Sequence, residues 1–130
     1  MEFKIAPMFH LLKIAQTVVK TREDIYAEFY NNINMLPQEL ETWLKTTNSQ
    51  APAESDKPEL VIDKKVSRKI FKVLLKKKYM LTKGDYACME KVSNSIQNIY
   101  QQKPQDNILQ SNWRYALMNL GHDPDKVAAQ

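Results

Sequence analysis

The chain has 130 residues, 43% hydrophobic and 26% charged, enough for one domain with a real core and too few for two. A single cysteine, Cys88, excludes an internal disulfide and fits a reducing compartment, so a cytoplasmic location is expected. The net charge of +4 conceals a polarised chain: Lys64 to Gly84 holds nine Lys or Arg and no Asp or Glu, while the remaining ten basic and fifteen acidic residues leave −5 elsewhere.

The first twenty residues carry Phe3, Ile5, Met8, Phe9, Leu11, Leu12, Ile14, Val18 and Val19. His10 and Lys13 interrupt the run and no small-residue cleavage pattern follows, which argues against a signal peptide. No stretch reaches about eighteen uninterrupted apolar residues, so a transmembrane span is not expected. Residues 1–20 read as an added amphipathic helix for core or interface packing, with interfacial membrane binding as the lesser option. Residues 21–126 read as a single helical domain, and residues 127–130 as a tail. Only Gly84 and Gly121 can supply unrestricted positive φ, which favours helices over a turn-rich sheet protein.

Two helix starts share one spacing. Thr21 with Asp24, and Thr82 with Asp85, each set a hydroxyl against the N3 amide and a carboxylate near the positive helix end. After Thr21, the residues Ile25, Tyr26, Phe29, Tyr30 and Ile33 recur at helical spacing. Pro37 suits the first position of a short helix whose Leu40, Trp43 and Leu44 share a face. From Thr46 to Pro58 apolar periodicity vanishes, and the run reads as a mobile loop.

A basic helix is expected from about Asp63 to Lys78. At about 100° per residue, Val66, Ser67, Ile70, Phe71, Val73, Leu74 and Leu75 fall on a broad inward arc. Lys65, Arg68, Lys69, Lys72 and Lys76 fall on the opposite, narrower one, a cationic ridge. The next helix is expected to run from Thr82 to about Gln102, with Tyr86, Met89, Val92, Ile96, Ile99 and Tyr100 inward. A last helix holds Trp113, Leu117 and Leu120, stops at Gly121 and has Pro124 beyond it. The fold class is therefore all-α, a compact bundle of five or six helices with a basic central helix.

A lysine-rich face can be merely solvated, can bind a polyanion or can meet an acidic protein. No acid alternates at i+3 or i+4 on this helix to relieve the repulsion, which favours the polyanion. The nucleic-acid contacts expected are Lys65, Arg68, Lys69, Lys72 and Lys76, supported by Lys77, Lys78, Lys83 and Arg114. Lysines predominate, so phosphate contact is expected rather than sequence readout. His10 and His122 with one Cys cannot build a structural zinc set, and no Gly-rich phosphate loop or nucleophile elbow is present. No catalytic residue, metal or cofactor is expected. Trp113 reads as core, Cys88 as structural, and His122 and Asp123 as closing the turn after the last helix.

The strings LPQELETWL (36–44), SRKIFKVLLKKKYMLTKGDYACMEKV (67–92) and SNWRYALMNLGHDP (111–124) resemble a small bacterial family known as a domain of unknown function, some members of which are labelled DNA-binding protein. The resemblance covers roughly Asp24 to Lys126 and is most specific at WRYALMNLGHDP. Where the family has Thr or Ser before the proline of its short helix, this chain has Leu36. Its approach to the basic helix, PELVIDKK at 58–65, lacks the Gly and His common there. The resemblance and the ridge together imply a non-enzymatic protein that binds duplex DNA weakly through phosphates, in an architectural or regulatory role. The alternative is a helical interaction module that docks a protein partner or self-associates through residues 1–20.

Overall fold

In a computed structural model the described residues are 20–128, and the N-terminal helix expected over 1–20 lies outside them save for Lys20. Helix α1, Arg22–Asn32, begins where the Thr21 hydroxyl accepts the Asp24 amide at 3.1 Å, with Glu23 and Asp24 in its first turn. It buries Ile25 and Phe29 and packs along the longest helix of the domain. Helix α2, Pro37–Leu44, has Pro at its first position. Leu36, standing where a capping hydroxyl would be, offers none, so only the reverse half of the box forms: the Leu36 amide donates to Glu39 Oε1 at 2.8 Å.

The segment read as a mobile loop contains a 3₁₀ helix, Asn48–Glu54, with Ser49 and Pro52 buried. The Ser49 hydroxyl lies 2.7 Å from the Thr46 carbonyl and 3.2 Å from that of Leu44, while the Asn119 side-chain amide donates to the Ser49 carbonyl at 2.8 Å. Small polar residues order this segment through hydrogen bonds, which leave no apolar period in the sequence. A shorter 3₁₀ turn, Pro58–Leu60, buries Leu60.

Helix α3, Lys64–Leu74, starts at Asp63, whose carboxylate accepts the Lys65 amide at 2.9 Å. It ends four residues earlier than the sequence suggests, because the chain turns at Leu75 and enters a 3₁₀ turn, Lys78–Met80. Helix α4, Lys83–Tyr100, carries the full capping box between Thr82 and Asp85 and buries Tyr86, Met89, Val92, Ser93, Ile96 and Ile99. After a 3₁₀ turn, Ile108–Gln110, helix α5 spans Asn112–Asn119 and buries six of its eight residues. Gly121 then takes φ +87°, and its carbonyl accepts the amides of Asn34 and Met35, both at 3.2 Å. Pro124, expected only to lie beyond a helix end, instead opens a further short helix, α6, Pro124–Ala128.

The described residues thus form an all-α bundle of six helices and four 3₁₀ segments, without a strand. Phe29, Leu40, Ile70, Val73, Met89, Ile96, Ile99, Trp113, Leu117 and Leu120 belong to one continuous core. Among these residues no helix is long and apolar enough to cross a membrane.

Candidate nucleic-acid interface

The amphipathic pattern of α3 sets the geometry of the basic surface. Ser67, Ile70 and Val73 are buried, and the Ser67 hydroxyl donates to the Asn119 carbonyl at 2.7 Å, which anchors the inner face. On the opposite face Lys64, Lys65, Arg68 and Lys72 are exposed. Lys64, Arg68 and Lys72 are four residues apart, so they form one file along the helix, about 6 Å apart in rise.

Lys69 and Lys76 have a different position from the rest of the expected ridge. Each places its ammonium 2.7 Å from a different oxygen of the Asp85 carboxylate, which is fully buried. The same carboxylate accepts the Thr82 amide at 2.9 Å, while the Asp85 amide donates to the Thr82 hydroxyl at 3.2 Å. Lys69, then Lys76, hold Asp85 well below the usual carboxylate range, against the opposing effect of burial. The partnership with Asp85 raises the Lys69 pKa in turn. Asp85 is therefore both the N3 residue of a capping box and the counter-ion of two lysines from the preceding segment. The sequence marks only the first role, because the second spans 16 and 9 residues and depends on how α3 meets α4. Two of the five ridge residues thus hold α3 against α4, and Lys65, Arg68 and Lys72 remain directed outward.

Among the supporting residues, Lys77 and Lys83 are exposed and form no ion pair with a described residue. Lys78 stands 4.7 Å from the centre of the Tyr26 ring and 4.0 Å from Glu23 Oε1, tying the turn to α1. Arg114 is not part of the ridge. Its guanidinium donates to both Asp123 carboxylate oxygens, at 3.1 and 3.2 Å, and to the Leu109 carbonyl at 2.9 Å, so it clamps the two ends of α5. Its neighbour Tyr115 is buried. Lys64, omitted from the expected contacts, joins the exposed file; its place one turn before Arg68 was the available signal.

The distinctive string around α5 has a structural explanation. The Trp113 indole donates to the Ile99 carbonyl at 2.6 Å, and Asn119 accepts the Trp43 indole at 2.7 Å while donating to Ser49. His122 is enclosed: Nδ1 faces the Asn32 carbonyl and Nε2 lies 2.8 Å from the Tyr100 hydroxyl. A carbonyl only accepts, so Nδ1 carries the proton and Nε2 accepts from Tyr100. Burial pushes the His122 pKa down. The Asn34 side chain bonds the Asp123 carbonyl at 2.9 Å and its amide at 2.7 Å. Trp113, Arg114, Asn119, His122 and Asp123 of this motif are thus each engaged in closing the fold. Cys88 is half-buried beside α3, and burial raises its pKa, the opposite of what a reactive thiolate requires.

A family model described as "Protein of unknown function (DUF3140)" matches residues 28–118, more than two-thirds of the chain. The chain belongs to this family. The match covers α2, the basic α3, α4 and nearly all of α5. No curated protein and no solved structure shows significant similarity to the chain.

Proposed function

We propose that this DUF3140 protein is a non-enzymatic binder of duplex DNA, acting through phosphate contacts in an architectural or regulatory role. The observation that carries this reading is the exposed group Lys64, Lys65, Arg68, Lys72, Lys77 and Lys83, none of which pairs with an acid among the described residues, while the nearest acid of α4 is buried and already engaged. A solvated surface face normally intersperses both signs. Here the repulsion between cations about 6 Å apart is left for a partner to relieve. A phosphate backbone supplies charge at that scale, and lysine heads on flexible stems suit phosphates better than base edges.

The test is a fluorescence-anisotropy titration of random-sequence duplex DNA with the wild type and with a variant carrying Gln at Lys65, Arg68, Lys72, Lys77 and Lys83. Lys69 and Lys76 stay intact, since their loss would strand Asp85. The variant should keep the wild-type circular dichroism and lose at least about tenfold in affinity at low salt. Unchanged affinity in a folded variant would remove the ridge as the binding site.

A further inference from the structure

The next residue at the file's spacing, Lys76, is drawn to Asp85, and Leu75 beside it, which the apolar pattern assigned to the inward arc, faces water because α3 ends at Leu74. One turn beyond Lys72 comes Leu75, at the helix C-cap, 61% exposed. The following turn presents Tyr79 at 83% and Met80 at 49% exposure. Three large apolar side chains thus stand in water within six residues, interleaved with Lys77 and Lys78 and followed by Lys83. The tip is anchored on three sides: Lys76 is held by Asp85, Lys78 lies over the Tyr26 ring, and Leu81 is buried. Its apolar groups are therefore presented by a fixed turn, and exposed large apolar side chains so close in sequence mark a candidate interaction surface.

Building on the phosphate-binding reading above, we infer that Leu75, Tyr79 and Met80 form a wedge that enters the base stack at the end of the phosphate track, so that the protein favours locally unstacked duplex DNA. Leu75 stands at the helix end on the angular sector of the cations, and Tyr79 and Met80 follow in the next turn. Lys64, Arg68 and Lys72 run along one side of an 11-residue helix, about 16 Å long. A strand of phosphates lying along the file leads directly to bases at the tip. Apolar side chains inserted between base steps must separate the stack, which costs a few kcal/mol in regular duplex and least where a base is unpaired. A site that contains such a wedge therefore discriminates by the state of the stack rather than by base identity.

The experiment compares the full chain on a 30-base-pair duplex and on the same duplex with a two-base bulge, each by anisotropy, for wild type and for the triple variant Leu75→Ser, Tyr79→Ser, Met80→Ser. All three positions are exposed, and an unchanged urea midpoint verifies the variant's fold. The wild type should bind the bulged duplex at least about tenfold more tightly. The triple variant should bind plain duplex as before and lose the preference. Equal wild-type affinity for both duplexes, or a preference that survives in the triple variant, would overturn the wedge while leaving phosphate binding standing. Absence of binding to either duplex would overturn both. If the triple variant instead loses binding to phosphatidylserine vesicles while its DNA preference is unaltered, the tip belongs to a membrane contact and the inference fails.

Discussion

Replacing Asp85 probes the junction between α3 and α4 directly. Its carboxylate is fully buried and receives two ammoniums at 2.7 Å and the Thr82 amide at 2.9 Å. Removing one partner from a buried ion pair costs about 3–5 kcal/mol when the other charge is stranded. Here Lys69 and Lys76 retain 42% and 31% side-chain exposure, so their charges can return to water and the cost falls towards about 2 kcal/mol for Asp85→Asn. Asp85→Ala also deletes the acceptor for the Thr82 amide, which adds about 1 kcal/mol and brings the total to about 3. Urea unfolding followed by circular dichroism should resolve both values with an unchanged m. A domain of this size has about 5–15 kcal/mol in hand, so both variants should stay folded. A loss under about 0.5 kcal/mol for Asp85→Ala would refute the reasoning. The pH dependence gives a second reading of the same group. Its folded pKa is depressed, so its contribution is present above the unfolded value near 3.8 and fades as the pH falls below it. Wild-type stability should therefore drop more steeply than that of Asp85→Asn below about pH 4.

Ser93 is buried and its hydroxyl has no hydrogen-bond partner among the described residues, so Ser93→Ala should raise stability by about 1 kcal/mol, measured by the shift in urea midpoint. Gly121 has φ +87°, and a Cβ there would meet Ile33 Cδ1 at 3.1 Å, so Gly121→Ala should cost about 1–2 kcal/mol in the same assay. Burial lowers the His122 pKa, with the Asn32 carbonyl and Asp123 acting in the opposite direction. A histidine whose folded pKa is lowered stabilises above its unfolded value of about 6.5 and loses that contribution as the pH falls below it, so the thermal midpoint should drop as the pH falls through about 6.5 and do so less in His122→Phe.

Local chemistry made most helix starts readable. Thr21, Thr82 and Pro37 act where their short-range geometry dictates, and the buried α3 face of Ser67, Ile70 and Val73 follows the apolar period, whereas Leu75, assigned to the same face, is exposed at the helix end. What the sequence hid is tertiary. Asp85 meets Lys69 and Lys76 only after α3 folds onto α4, and Arg114 meets Asp123 only after Gly121 reverses the chain. The order of the 48–54 segment leaves no periodic mark in the sequence, because Ser49, Thr46 and Asn119 impose it by hydrogen bonds rather than by a hydrophobic repeat. The ridge was legible as a run of charge. Its division into outward contacts and inward ion pairs was not, since both kinds of lysine look alike in sequence.

The salt dependence of wild-type binding to random-sequence duplex DNA tests the central claim most directly. Six phosphate contacts, one for each unpaired cation, predict a log–log slope of about −5.4, so affinity should fall about 2,000-fold between 50 and 200 mM salt. A slope near zero, or no binding at 50 mM, would contradict a phosphate-directed site on α3.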